Sequence, residues 1–151
     1  VSYKTFNAAM PTTAAMAGVA TASGVKTMLQ VAAPSTRKLQ ILSWGYSVSV
    51  TPPGISTVEL LQTDVAATVT AHVASGIVSL DDAATASLVT LGTAATGYTA
   101  TAEGSITATR VFATHQLGIA AGNNDLVKTY QFVPDDERWI VAAGKFLRIR
   151  T

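Results

Sequence analysis

The residues able to do chemistry are few and scattered. The two histidines, His72 and His115, lie far apart, and no carboxylate stands close to either in sequence. An imidazole metal site would need such neighbours, so each reads as a structural or exposed strand histidine. Asp81-Asp82 and Asp135-Asp136-Glu137 offer carboxylates to calcium. They lack the alternating oxygen ligands and the glycine of a calcium loop, and turns favour Asp for reasons of their own. Serine never occurs within Gly-x-Ser-x-Gly. No glycine-rich loop runs into Lys-Ser/Thr to cradle a phosphate. With no cysteine in the chain, disulfides and thiolate metal sites are excluded. The expectation is a protein with no catalytic residues, no metal and no cofactor: not an enzyme.

Binding chemistry has more to work with. Trp44, Tyr46, Tyr98, Tyr130 and Trp139 are the aromatics available for a sugar platform. Trp44 and Tyr46 share a heavily apolar strand face, which assigns both to the core. Tyr98 lies in a Gly/Thr-rich stretch and is expected to be exposed. Arg148 and Arg150 alternate with Leu147 and Ile149. They read either as anchors for a carboxylate of a neighbouring subunit or as a solvated face.

Strands must position these side chains. Within Arg37–Val50, residues Leu42, Trp44, Tyr46, Val48 and Val50 alternate with Ser43, Gly45, Ser47 and Ser49. Such alternation marks a strand with one packed face and one bare face, which another backbone can approach closely. Further strands are expected over Lys26–Ala33, Thr57–Thr63, Val65–Ala74, Ile77–Leu80, Ile106–Thr114 and Leu126–Val133. Arg138–Ala142 and Phe146–Thr151 suggest a hairpin around Ala143-Gly144-Lys145. Asp81 is placed to cap a helical turn or two, although the Thr content argues against a long helix. Thr90–Gly104 reads as loop. About eight short strands separated by turn signals predict an all-β chain, a β-sandwich or barrel.

Residues 1–24 stand apart. They are rich in Ala, Thr, Met and Gly, carry Lys4 as their one charge, and follow no clean period. They read as an extended N-terminal arm that gains order on a partner, or alternatively as a short edge strand with a flexible linker. Residues 25–151 would form the sandwich domain. The first residues lack the layout of a signal peptide and read as the start of a mature cytosolic chain. No apolar run has the length of a membrane span.

Composition narrows the function classes. Ala and Thr supply 48 of the 151 residues (26 plus 22), and only 13% are charged. A surface so poor in charge is suited to lying against another protein. Net charge is +1, too weak and too spread for a nucleic-acid binder. Its distribution is uneven: +4 over residues 1–58, −5 over 59–103 and +2 over 104–151. Such segregation either steers like subunits together or is plain surface scatter.

The order of the pieces carries a resemblance. Val25-Lys-Thr-Met-Leu-Gln-Val-Ala-Ala-Pro34 runs into Leu39-Gln-Ile-Leu-Ser-Trp-Gly-Tyr-Ser47. Thr57-Val-Glu-Leu-Leu61 and Ile106-Thr-Ala-Thr-Arg-Val-Phe-Ala-Thr-His115 follow, and Glu137-Arg-Trp-Ile-Val-Ala-Ala-Gly-Lys-Phe-Leu-Arg-Ile-Arg150 closes the chain. Over about residues 25–151 this resembles the capsid decoration (cement) proteins of tailed phages and prophages of actinobacterial hosts. The resemblance implies a jelly-roll or tumour-necrosis-factor-like sandwich that forms a homotrimer. It also implies a major capsid protein as partner, a place on the outer virion surface after synthesis in the host cytoplasm, and an arm at 1–24 that grips the shell. Nucleic acid and membrane are not expected partners. The alternative is a carbohydrate- or receptor-binding sandwich of a phage fibre, for which Tyr98 is the main support. A hydrolase on a sandwich scaffold would need a paired acid and base that the sequence does not offer.

Overall fold

A computed structural model describes residues 2–7, 20–21, 24–48, 55–81, 85–117, 126–131 and 138–151. Twelve strands run through them: β1 (Tyr3–Lys4), β2 (Thr27–Ala32), β3 (Leu39–Gln40), β4 (Ser43–Val48), β5 (Ser56–Thr63), β6 (Thr68–Ala71), β7 (Val78–Ser79), β8 (Gly97–Ala102), β9 (Thr109–Leu117), β10 (Leu126–Gln131), β11 (Ile140–Val141) and β12 (Phe146–Arg150). Among the described residues the only helical element is a single 3₁₀ turn at Ala74–Gly76. The chain is an all-β sandwich, as its alternation of Val, Ile, Leu and Thr requires.

One layer is a six-stranded antiparallel sheet in the order β6-β8-β2-β12-β5-β9. The other is narrow. It consists of the pairs β4–β10 and β3–β11, successive stretches of the same two chain segments. The core lies between them. Val58 and Leu60 from β5, Leu147 and Ile149 from β12, and Leu117 from β9 meet Ile41, Trp44 and Val141 of the narrow layer. Leu60 and Val141 are completely buried. Burying a side chain of that size contributes about 1.5–3 kcal/mol relative to exposure.

The expected strand Arg37–Val50 is broken in two. Ile41 and Trp44 are buried, but Leu42 and Ser43 between them are both exposed. Strict alternation cannot place two residues in succession on the open side, so the chain shifts phase here. At that point it changes partner from β11 to β10. Leu42 therefore lies outside the packed face expected for it, while Trp44 occupies it. Ser49 and Val50 lie outside the described residues.

Three other expectations are corrected. The hairpin around Gly144 does not form, because β11 pairs with β3 and β12 inserts between β2 and β5. The turn itself is present, with Gly144 at φ +69° and the Lys145 N–H bonded to the Ala142 carbonyl. The stretch 90–104 is not all loop: β8 occupies Gly97–Ala102 inside the large sheet. Its glycine is demanded by packing, since a Cβ at Gly97 would fall 2.3 Å from the Thr70 carbonyl oxygen. No helix follows Asp81 over residues 85–88, and 82–84 lie outside the described residues.

The start of the proposed arm rests on the domain itself. β1 pairs antiparallel with β7, Tyr3 opposite Ser79 and Lys4 opposite Val78. Residues 8–19 and 22–23 lie outside the described residues.

Candidate functional site

The histidines are brought into two separate aromatic settings. His115, on β9, faces the narrow layer. Its ring stacks on Trp44 at 5.5 Å, and Tyr130 stacks on the same indole at 5.1 Å. The ring nitrogens meet two phenols: Tyr46 Oη lies 3.2 Å from Nδ1, and Tyr130 Oη lies 2.8 Å from Nε2. A neutral imidazole has one donor and one acceptor nitrogen, so it satisfies one phenol of each kind. Burial, and secondarily the neighbouring Tyr130, push the Tyr46 phenol up, which keeps it a neutral O–H donor. The cluster ties β9 of the large sheet to β4 and β10 of the narrow one. Its chemistry is cohesion between the layers. Trp139, the remaining aromatic of this region, stacks on Phe112 at 5.8 Å.

His72 is 4% exposed and lies against Tyr98, ring centroids 4.8 Å apart. Its Nε2–H donates to the Phe6 carbonyl oxygen at 2.7 Å. Tyr98 is therefore a half-buried strand residue rather than an exposed platform. With Trp44 buried and Tyr46 and Tyr130 tied to His115, the sugar-platform aromatics do not converge on one surface.

The arginines hold the largest departure from the sequence reading. Arg148 is completely buried on the face of β12 opposite Leu147 and Ile149. Its Nη1 donates to the Glu103 carboxylate and carbonyl, each at 3.0 Å, and its Nη2 to the Val65 carbonyl. Glu103 also accepts from the Thr27 N–H at 2.5 Å and the Thr27 hydroxyl at 2.6 Å. Burial pushes the guanidinium's pKa down, and the Glu103 charge pulls it back. Beside Arg148 in the sheet, buried Gln30 accepts from the Ala67 N–H at 2.8 Å and donates to the Ala95 carbonyl at 2.6 Å. Arg150 pairs with Glu59 at 2.6 Å. The anchoring carboxylates thus belong to the same chain, two acids of its middle paired with its last two arginines.

Two signals for this layer were present in the sequence. Glu103 is the one acid between Asp82 and Asp125, and Gln30 is the one strongly polar side chain in Met28–Ala32. Neither says which partner it meets. Asp64, also in the acidic middle, is consumed in the same way. It accepts from the Thr107 hydroxyl and the Thr107 and Ala108 N–H groups, which hold its carboxyl at about 2.

Among the described residues no three His, Asp or Glu side chains gather as a metal site. Asp82 and Asp135-Asp136-Glu137, weighed and set aside as calcium ligands with Asp81, lie outside them. An open depression of about 410 Å³ is lined by Val25, Lys26 and residues 100–103. Its one carboxylate, Glu103, is already committed to Arg148 and Thr27.

The outward face of β4 carries only small side chains, while large hydrophobics stand exposed elsewhere, among them Ile55, Leu80 and Leu88. Ser43, Gly45 and Ser47 of β4 are all exposed, behind the buried Trp44. No helix among the described residues is long and apolar enough to cross a membrane. No family model, curated protein or solved structure matches this chain.

Proposed function

We propose that this chain is a structural virion protein, a decoration protein that binds the outer capsid surface of a tailed phage as a trimer and stabilises the shell. The reading takes its family from the sequence resemblance. The structural observation that supports it is the outward face of β4. Ser43, Gly45 and Ser47 present nothing larger than a hydroxymethyl group, so a partner's chain can approach the β4 backbone closely there. Binding to the assembled shell, and not to the loosened one, stabilises the shell by mass action. Residues 2–7 are engaged with the domain, so the stretch of the arm left to reach the shell is 8–24.

The test is co-sedimentation with empty shells of a tailed phage from an actinobacterial host, alongside native mass measurement. The expected results are a trimer and saturable binding. Ser47→Arg should weaken binding at least tenfold, and Lys38→Gln, an exposed change of the same one unit of charge, should not. A monomer that leaves the shells unoccupied would overturn the reading.

A further inference from the structure

β1 docks at the edge of the domain as one half of a two-stranded pair with β7. Among the described residues, the partners of residues 2–7 beyond the segment itself are remote in sequence: Ser79 and Val78 as strand partners, the Leu80 N–H bonded to the Ser2 carbonyl at 2.9 Å, the Thr85 carbonyl accepting from the Tyr3 hydroxyl at 2.5 Å, and His72 bonded to the Phe6 carbonyl. The socket is thus built entirely from the body of the domain. Two strand pairs and a few hydrogen bonds are a small contact, and segments held so lightly open readily.

An empty socket is nevertheless unfavourable. His72 is 4% exposed, and its Nε2–H has the Phe6 carbonyl as its partner. Without the segment that bond is lost, and water must replace the Phe6 carbonyl at Nε2. Gly76 presses on the other side of the ring, where a Cβ would fall 2.5 Å from Nδ1, so the imidazole has little freedom to swing away. The socket therefore favours being filled, and an identical segment from another copy fills it equally well.

The tether permits this. Residues 8–24 are seventeen positions (24 minus 7) without a charge. Seventeen residues span at most about 55–60 Å, more than the roughly 40 Å breadth of a compact domain of this length. We infer that the N-terminal strand is exchanged between copies, with Ser2–Asn7 of one chain seated against β7 and His72 of another. The partner is a second copy of this chain, and at high local concentration the exchange links subunits without any new contact. This holds with or without a capsid, so its test and that of the proposed function fail independently.

The chain has no cysteine, which makes the test clean. Tyr3→Cys and Ser79→Cys proteins, made separately, are mixed, incubated and oxidised, and the mixed disulfide is read by mass. Exchange predicts covalent Tyr3→Cys/Ser79→Cys pairs at least tenfold above a mixture of Lys38→Cys with Ser79→Cys, since Lys38 is exposed and has no place in the socket. If Tyr3→Cys fails to fold by circular dichroism, Lys4→Cys with Val78→Cys, the adjacent strand pair, replaces it. Equal yields in test and control mixtures would overturn the inference. So would a double variant that closes only within single chains at every concentration.

Discussion

The two faces of the six-stranded sheet are held by different physics. Towards the narrow layer, Val58, Leu60, Leu147 and Ile149 pack on Trp44, Ile41 and Val141. Towards the other side, Thr27, Gln30, Thr63 and Arg148 are equally buried, but they are met by Glu103 and by the backbone of the chain around residues 65, 67 and 95. The first face needs volume and apolarity, and many side chains satisfy that. The second needs donors matched to acceptors, and each group left unmatched is costly. The apolar face therefore accounts for cohesion, while the polar face fixes where irregular segments lie. Gln30 binds the Ala67 N–H and carbonyl and Arg148 binds the Val65 carbonyl, so together they hold residues 65–67 against that face.

Substitution can rank the faces. The largest effect belongs to Trp44→Ala, which removes a 6% exposed indole and the ring on which both His115 and Tyr130 stack. The expected loss is about 3–5 kcal/mol in urea denaturation. A loss under about half a kcal/mol would place the indole in solvent and reopen a ligand role for it. On the polar face, Glu103→Ala leaves Arg148 charged and buried without its anion. Breaking a buried pair costs about 3–5 kcal/mol. The lower end applies here, because the Glu103 side chain keeps 25% of its surface in water. The double change Glu103→Leu with Arg148→Met should recover much of that loss, since it removes both charges together. If the single variant is neutral, Arg148 reaches water and the contrast between the faces disappears.

That contrast also explains what could be read from the sequence. Val58 and Leu60 on β5, and Trp44 with Tyr46 on β4, follow the two-residue period, and the period alone places them. Arg148 and Arg150 follow it equally well, which is why they resemble a solvated face. The burial of Arg148 depends on Glu103 arriving from 45 residues away, and Arg150 meets Glu59 from 91 residues away; periodicity carries no information about either. Gly97 misled for a related reason. Glycine in a Thr-rich stretch signals a loop, but here it lets β6 and β8 approach within contact of the Thr70 carbonyl. The hairpin around Gly144 failed because both of its strands found better partners elsewhere. Local signals identified the turn, and tertiary pairing decided the rest.

A smaller effect is expected at Gln30. Gln30→Ala strips acceptors and donors from the Ala67 N–H, the Ala67 carbonyl and the Ala95 carbonyl. The loss should be about 1–3 kcal/mol. It should come with faster amide exchange at Ala67, whereas Trp44→Ala should leave that amide protected until global unfolding. Equal protection of Ala67 in the Gln30 variant would show that the segment is positioned by something other than the polar face.

The smallest effect is at Asp64, where the same kind of matching continues at the surface. Its carboxylate accepts from the Thr107 hydroxyl and the Thr107 and Ala108 N–H groups. These bonds favour the charged form, so the folded-state value falls from 3.8 to about 2. A carboxyl whose pKa is depressed on folding binds its proton more readily when unfolded. Its contribution is therefore complete above about pH 4 and is lost as pH falls towards and through 2. Other carboxyls titrate over the same range, so the useful quantity is the difference in Tm between the protein and Asp64→Asn. That difference should be greatest above pH 4 and should shrink steadily towards pH 2. A difference that stays constant over that range would mean the Thr107 and Ala108 donors do not distinguish the carboxylate from the amide. The link between residues 64 and 107 would then rest on shape alone, as on the apolar face.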